Sequence, residues 1–153
     1  MSTVYYWSPC LNKVGTLKST INSAISLSKY SNREYNVKII NSCGEWNEYE
    51  NLFKENNIEI LNFHFNYFKY LPKKGFIASR FSYLIIILLS AIPLLRLLKK
   101  NKPDFIILHL VTFLPLLLLN IFNFKTKFIL RISGYPKMNF FRLFLWKIAS
   151  KKL

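Results

Sequence analysis

Short apolar segments alternate with amphipathic ones along the first part of the chain. Residues 3–8 are aromatic and β-branched and stop at Pro9, which predicts a buried strand. Over residues 17–30 the apolar side chains recur at helical spacing, and Thr16 precedes them as a candidate N-cap. Residues 35–41 alternate like a second strand and end at a turn. This order predicts a strand, a helix and a strand joined by short turns.

The middle of the chain adds one more helix and strand and then becomes strongly apolar. Residues 45–54 predict a short helix, and residues 58–63 predict a third strand. Residues 64–75 are aromatic and basic and include a Pro-Lys-Lys-Gly turn, which predicts a loop. Residues 76–100 predict a long apolar helix that ends before Pro103.

The last part of the chain again alternates strand and helix. Residues 105–110 form an uninterrupted apolar run, which is typical of a parallel strand covered on both faces. We expect a helix up to residue 124, a strand over residues 127–132 and a final helix from residue 139 onward. The repeated order predicts an α/β fold, a Rossmann-like parallel sheet flanked by helices, in one domain of residues 1–153.

Charge divides the chain at residue 59. Residues 1–59 carry six basic and six acidic side chains, whereas the remaining residues carry sixteen basic groups and the single acid Asp104. The whole net charge of +15 therefore lies after residue 59. Such an excess favours a polyanionic partner, namely phosphate groups, an anionic membrane surface or nucleic acid.

The same composition argues against several kinds of site. A glycosidase pair of carboxylates would have to come from residues 45–59 or include Asp104, so a self-contained glycosidase fits poorly. The two cysteines and two histidines are too scattered for a four-ligand zinc site; they are Cys10, Cys43, His64 and His109. We expect no metal, no bound cofactor and two reduced thiols in a cytosolic protein.

The turn after the first strand is the first candidate for binding chemistry. The carboxyl ends of parallel strands share one edge of the sheet, and ligands bind there. Lys13 could add charge, Gly15 permits close approach of the backbone, and Thr16 begins a helix whose N-terminus attracts phosphate. A plain turn that needs glycine for its geometry explains the same residues.

Two further strand ends supply the other candidates. His109 closes the apolar run, where it is a candidate catalytic acid or base, or alternatively a hydrogen-bonded core histidine. After the last strand, Arg131 could bind a phosphate in a bidentate manner, and Ser133 and Gly134 could bind a polar ligand. The simpler alternative is a strand that ends in a Gly-Pro turn.

Aromatic and basic residues also form a candidate membrane surface. They precede the long apolar helix and recur at its basic end, a combination typical of interfacial segments. An ordinary solvated basic face is the alternative. The predicted membrane-contacting residues are Phe68, Lys69, Lys73, Lys74, Arg96, Lys99 and Lys100.

Two alternatives from other classes of protein remain open. Residues 105–124 and 83–95 are apolar enough for a small integral membrane protein with two spans, although polar residues interrupt the first stretch and the second is short. The interleaved aromatic and basic residues would also suit a nucleic-acid-binding module. Long aliphatic runs have no role on a nucleic-acid surface, and they favour the membrane.

The order of these segments resembles the N-terminal domain of family 4 glycosyltransferases with the GT-B fold. The resemblance spans nearly the whole chain and depends on the order of four moderately specific motifs. They are Ser8-Pro9 with residues 12–16, then Lys-Ile-Ile-Asn at 38–41, then Lys-Pro-Asp at 102–104 leading to His109, and Arg-Ile-Ser-Gly-Tyr-Pro at 131–136.

The resemblance implies an acceptor-binding domain of a retaining, metal-independent hexosyltransferase that extends a lipid-linked saccharide in surface polysaccharide biosynthesis. A nucleotide-sugar would be the co-substrate, and the protein would be peripheral on the inner face of a bacterial cell membrane. By position, Gly15 and Thr16 would approach the donor phosphates and the acceptor. His109 matches the second histidine of an Asp-x-x-His-x-His pattern, and Ser133-Gly134 matches a His-Gly turn.

The donor-binding half of that family is not expected in these residues. It carries two glutamates eight residues apart, and no acidic pair follows Glu59. We therefore expect an N-terminal half, as a fragment or as one partner of a split enzyme, that transfers no sugar alone.

Overall fold

The computed structural model describes residues 1–12, 15–32, 34–63, 66–132 and 140–150. Its centre is a five-stranded sheet with the order β3-β2-β1-β4-β5, in which every neighbouring pair is parallel. The α/β fold with a Rossmann-like parallel sheet is therefore confirmed. The strands are β1 Ser2–Trp7, β2 Tyr35–Asn41, β3 Glu59–Asn62, β4 Phe105–Leu108 and β5 Lys127–Leu130.

Helices connect successive strands, as the alternating pattern predicts. Two short 3-10 helices, Asn47–Tyr49 and Phe68–Tyr70, interrupt the connections before and after β3. The α-helices are α1 Gly15–Tyr30, α2 Glu50–Glu55, α3 Phe76–Asn101, α4 Phe113–Ile121 and α5 Phe140–Ala149.

Each face of the sheet has its own core. On β1, Val4 and Tyr6 pack with α1 on one face, whereas Tyr5 and Trp7 belong to the core formed with α3 and α4 on the other. β1 is central and covered on both faces, which explains why its sequence is apolar throughout and does not alternate.

Several predicted elements are shorter than the sequence pattern indicates, and two of them have a clear local cause. Residues 45–49 do not begin an α-helix, because the Glu45 carboxylate turns back to accept hydrogen bonds from the Ser42 and Cys43 backbone N–H groups. The strand expected over residues 105–110 ends at Leu108, and Val111 has a positive φ of 50° that breaks the extended chain.

The chain crosses over between β3 and β4, and this crossover defines a crevice at one edge of the sheet. β1 and β4 are neighbours, and their connections leave the sheet in opposite directions, so the crevice lies at their carboxyl ends. Asp104 lies at the opposite edge, where its carboxylate accepts a hydrogen bond from the Thr3 N–H at 2.7 Å. Asp104 is therefore remote from chemistry in this crevice.

α3 is much longer than the strands it packs against. Its 26 residues correspond to about 39 Å, whereas strands of 4 to 7 residues span about 13–23 Å. Its second half packs on the sheet through Leu94 and Leu98. Its first half extends past the carboxyl edge, where Ile86 contacts a separate cluster with Leu11 and Cys43.

The structure does not form the pair of membrane spans that was considered as an alternative. Residues 105–124 divide into β4 and α4, which are separated by a turn, so this stretch is no single helix. By length and composition, α3 is the one helix among the described residues that could cross a membrane, and 28% of its most apolar window is buried in the protein.

Candidate functional site

His109 lies at the crevice between β1 and β4. It follows the last residue of β4, and its backbone N–H donates to the Trp7 carbonyl at the end of β1 at 3.0 Å. The side chain is 6% exposed and points towards α1. The sequence therefore predicts the correct position for this residue, at the carboxyl end of the sheet.

A buried polar cluster surrounds the imidazole. The Nδ1 atom of His109 lies 3.0 Å from the Oγ1 atom of Thr20, and the Ser8 Oγ lies 3.1 Å from the same oxygen. The Thr20 hydroxyl also lies 3.1 Å from the Thr16 carbonyl, one turn earlier in α1, to which it can only donate. The cluster thus joins the ends of β1 and β4 to the first turns of α1.

The hydrogen-bond pattern indicates a tautomer of His109. A hydroxyl has one proton, and the Thr16 carbonyl has none. When Thr20 donates to Thr16, the His109 Nδ1–H donates to Thr20, and the lone pair of the ring is on Nε2. Burial lowers the pKa of His109, and the positive charge of Arg131 lowers it further. A neutral imidazole of this kind can accept a proton at neutral pH.

A polar groove lies on one side of α1. Arg131, just after β5, donates from Nη2 to the Ser19 Oγ at 2.5 Å and from Nη1 to the Ser19 carbonyl at 3.3 Å. This contact fixes the guanidinium beside the start of α1. Together with the arginine, the groove is lined by Gly15, Lys18, Ser19, Asn22, Ser23 and Ser26. Two residues predicted from sequence, Gly15 and Arg131, therefore share one groove.

A separate pocket of about 210 Å³ lies on the other side of α1. It opens at the carboxyl edge between the segments that follow β1, β2 and β3. Tyr49 and Phe68 are half-buried, and the Lys73 Nζ lies 3.6 Å from the centroid of the Phe68 ring. The lining residues are Cys10, Leu11, Asn12, Leu17, Glu45, Glu48, Tyr49, Phe68 and Lys73.

Two buried side chains, Asn41 and Glu45, hold in place the segment that lines this pocket. Glu45 is 4% exposed, and its carboxylate accepts hydrogen bonds from Ser42 and Cys43. The Asn41 Oδ1 accepts bonds from the backbone N–H groups of Gly44 and Trp46. These hydrogen bonds satisfy a buried carboxylate and a buried amide oxygen that would otherwise lack partners in the interior. They also fix the segment that carries Glu48 and Tyr49.

Both thiols at this edge are free and buried. Burial raises the pKa of Cys10 to about 11, and it raises the pKa of Cys43 still further. Neither thiol is therefore an activated nucleophile at neutral pH. Among the described residues, no three His, Cys, Asp or Glu side chains cluster closely enough to hold a metal ion.

Several predicted residues lie elsewhere or outside the described residues. Lys13, Ser133 and Gly134 are outside them. Thr16 contributes its carbonyl to the Thr20 hydroxyl, and its side chain is half-buried. Of the predicted membrane residues, Phe68 and Lys73 line the pocket, whereas five are exposed: Lys69, Lys74, Arg96, Lys99 and Lys100.

Sequence reasoning missed the role of Ser8 and Thr20 in the polar cluster around His109. Thr20 is fully buried, although the two residues before it, Lys18 and Ser19, are polar and not buried. The available signal was a hydroxyl residue three positions after Leu17 and next to Ile21, on the face that packs against the sheet. The sequence marks Glu45 only as one of six acidic side chains before residue 60, whereas the structure buries it.

Comparison with solved structures gives a match over nearly the whole chain. The crystal structure of CalG4, the calicheamicin glycosyltransferase, aligns with a TM-score of 0.52 over 95% of this chain at 14% sequence identity. The alignment covers 36% of the CalG4 chain, so the 153 residues span about a third of its length. No protein-family model and no curated protein sequence match the chain. The fold is therefore similar to one Rossmann-like domain of a GT-B glycosyltransferase.

Proposed function

We propose that this chain is the acceptor-binding domain of a GT-B-type glycosyltransferase. The observation that carries the proposal is the grouping of a pocket, a polar groove and a buried histidine around the start of α1, at the carboxyl edge of the sheet. Open α/β sheets bind their ligands at this edge. The similarity to one domain of CalG4 supports a sugar-transfer role.

The pocket is suited to a saccharide of the acceptor. Tyr49 and Phe68 provide ring surfaces, and sugar C–H groups pack on such surfaces because a pyranose has an apolar face. Glu48, Asn12 and Lys73 line the same space and can hydrogen-bond hydroxyl groups. The mixture of aromatic surface and a few polar groups is typical of small-molecule sites.

The groove on the other side of α1 is suited to the phosphates of a nucleotide-sugar. Arg131 presents a fixed guanidinium, Lys18 adds a second positive charge, and Gly15 begins the helix there. Lys13, Ser133 and Gly134 are adjacent in sequence to these residues and belong to the same proposal. His109, a buried imidazole at the carboxyl end of β4, would be the acid or base of the reaction.

The donor-binding half would be supplied outside these 153 residues, by more of the same polypeptide or by a partner chain. Alignment with about a third of CalG4 supports this division. Transfer with retention of configuration and without a metal is the finer proposal that the family resemblance implies. Without the donor half, the 153 residues would transfer no sugar.

The acceptor is proposed to be a lipid-linked saccharide of surface polysaccharide biosynthesis at the cytoplasmic face of the membrane. The exposed cations Lys69, Lys74, Arg96, Lys99 and Lys100 support an anionic surface as partner. They lie before α3 and at its end, on the same segment of chain that borders the pocket.

Isothermal titration of the 153-residue chain with a panel of monosaccharides and oligosaccharides tests the role of the pocket. At least one sugar should bind, and Tyr49→Ala should weaken its binding about tenfold, through loss of ring contact. Tyr30→Ala is the matched control, because Tyr30 is 81% exposed at the far end of α1. Binding that both variants retain unchanged, or binding of RNA and of no saccharide, would contradict the proposal.

A further inference from the structure

The outward face of α3 carries a continuous stripe of exposed apolar side chains. The members recur every three or four residues, so they lie on one side of the helix. Each is more than half exposed, which is unusual for large aliphatic and aromatic residues that form a contiguous patch. They are Ile77 at 82%, Phe81 at 57%, Leu84 at 51%, Leu88 at 66% and Ile92 at 59%.

The opposite stripe of the same helix already packs in the protein. Its members recur every four residues and are fully buried. They are Ser82, Ile86, Ser90, Leu94 and Leu98. α3 therefore buries one side in the protein and leaves large apolar side chains on the side that faces away from it. The inward stripe needs no further partner, and the outward stripe covers nothing within the described residues.

Positive charge surrounds the outward stripe. Arg80 lies within the first half of α3, Arg96 within the second, and Lys99 and Lys100 occupy its last turn. No acidic residue occurs between residues 60 and 103. A second copy of the chain would place these cations next to the same cations of its partner, which repel them. Anionic lipid headgroups would neutralise the cations while the acyl chains cover the apolar residues.

We propose that the outward stripe of α3 docks into the interface of an anionic lipid bilayer, with the helix axis in the membrane plane. In this orientation Phe81, Leu84 and Leu88 reach the acyl chains and the arginines and lysines contact headgroups. The helix does not cross the bilayer, because spanning would pull the buried inward stripe away from the sheet. This docking surface differs from the membrane surface predicted from sequence, which consists mainly of basic residues. Here the insertion of apolar side chains holds the protein at the bilayer.

The proposed docking also orients the candidate site. The first half of α3 extends beyond the carboxyl edge, and the Ser82 Oγ donates to the Pro72 carbonyl at 2.6 Å, which fastens the helix to the segment that holds Lys73. The segment that lines the pocket is therefore attached to the helix that docks. Docking deepens the proposed location at the membrane and rests on that proposal, whereas lipid binding is measured without any sugar chemistry.

Fluorescence from a labelled cysteine measures the insertion directly. Cys10 and Cys43 are at most 3% exposed, so an environment-sensitive fluorophore will label Leu88→Cys selectively in the folded chain. The matched control is Tyr30→Cys, 81% exposed on a helix that packs on the other sheet face. With vesicles of equal parts phosphatidylglycerol and phosphatidylcholine, emission from position 88 should shift to the blue, and emission from position 30 should not.

Vesicle sedimentation of the full 153-residue chain supplies the second measurement. The double variant Phe81→Ser with Leu88→Ser should lower the partition coefficient at least about tenfold, because two large apolar groups no longer leave water. Tyr30→Ser should leave it unchanged, and circular dichroism should show the same fold for all three proteins.

Each of the following outcomes would overturn the proposal. If vesicles bind the chain while position 88 stays in water, the basic residues alone hold the protein there. If size-exclusion chromatography shows a dimer that Leu88→Ser dissociates, a second copy covers the stripe. Retention of the chain in membranes after carbonate extraction would indicate a spanning helix, and no vesicle binding at all would leave no membrane role.

Discussion

The imidazole of His109 and the hydroxyl of Thr20 are hydrogen-bonded across 3.0 Å, although 89 residues separate them in the sequence. This bond ties the end of β4 to the second turn of α1, and the Ser8 hydroxyl brings the end of β1 into the same cluster. The crevice of the sheet is thus closed at its base by three buried side chains. The proposed saccharide pocket and the proposed phosphate groove lie on either side of them.

Replacement of Thr20 by valine should destabilise the protein. The change keeps the shape of the side chain but leaves Ser8 and His109 without their shared oxygen, which costs about 1–3 kcal/mol in a buried site. Urea denaturation should report this loss as a lower midpoint with an unchanged slope. Thr112→Val is a matched control, because Thr112 precedes α4 without a side-chain capping bond. Equal stability of the two variants would contradict the importance of the cluster.

Stability should depend on pH through His109. Burial lowers the pKa of His109 below its ordinary value of 6.5, so the unfolded chain takes up a proton more readily than the folded one. The free energy of unfolding should therefore fall as the pH decreases from about 6.5 towards the folded pKa. His109→Gln should flatten this part of the stability profile. Stabilisation by acid in the same range would have the opposite sign and would refute the buried neutral state.

Glu45 should contribute to stability through the turn that it closes. Its carboxylate accepts from the Ser42 hydroxyl and from two backbone N–H groups, and an amide at this position can offer only one acceptor oxygen. Glu45→Gln should lower the free energy of unfolding by about 2 kcal/mol and weaken saccharide binding with it. Glu50→Gln, an exposed position in the next helix, should do neither. A Glu45→Gln variant with unchanged stability would show that the buried carboxylate is dispensable.

Arg131 should contribute to the binding of anions and contribute little to the binding of saccharides. We expect Arg131→Gln to weaken binding of uridine diphosphate about tenfold, because a charge-assisted bidentate contact is lost. Lys127→Gln tests simple loss of charge, since Lys127 is exposed at the start of the same strand. The proposed groove loses its support if both variants weaken the diphosphate equally, or if Arg131→Gln binds it as the unchanged chain does.

The order of elements could be predicted from sequence, and their ends could not. β1 and β4 are recognisable because parallel strands covered on both faces are continuously apolar, as over residues 105–108, whereas β2 is recognised by its alternating pattern. Residues 45–49 depart from the predicted helix because Glu45 makes local hydrogen bonds that compete with it. Such competition depends on the position of a single carboxylate, which periodicity does not report.

The site was predictable in location and only partly in composition. His109, Gly15 and Arg131 follow from the rule that ligands bind at the carboxyl ends of parallel strands. Thr20 could not be predicted by this rule, because its partners lie 12 and 89 residues away in the sequence and contact it only in the folded chain. The exposed stripe of α3 was also hidden, since hydropathy alone does not distinguish the inward side of an apolar helix from the outward one.

The central claim is that the carboxyl edge of the sheet binds a saccharide and a diphosphate on either side of α1. The most direct test is chemical-shift mapping by NMR of the isotope-labelled 153-residue chain during titration with a saccharide that binds it and, separately, with uridine diphosphate. We predict that the saccharide perturbs backbone amides around Asn12, Glu48 and Phe68, and that the diphosphate perturbs those around Gly15, Ser19 and Arg131. Both sets lie at the carboxyl edge of the sheet, on either side of α1. Perturbations confined to the opposite edge, near Thr3 and Asp104, would contradict the account, as would the absence of any perturbation by either ligand.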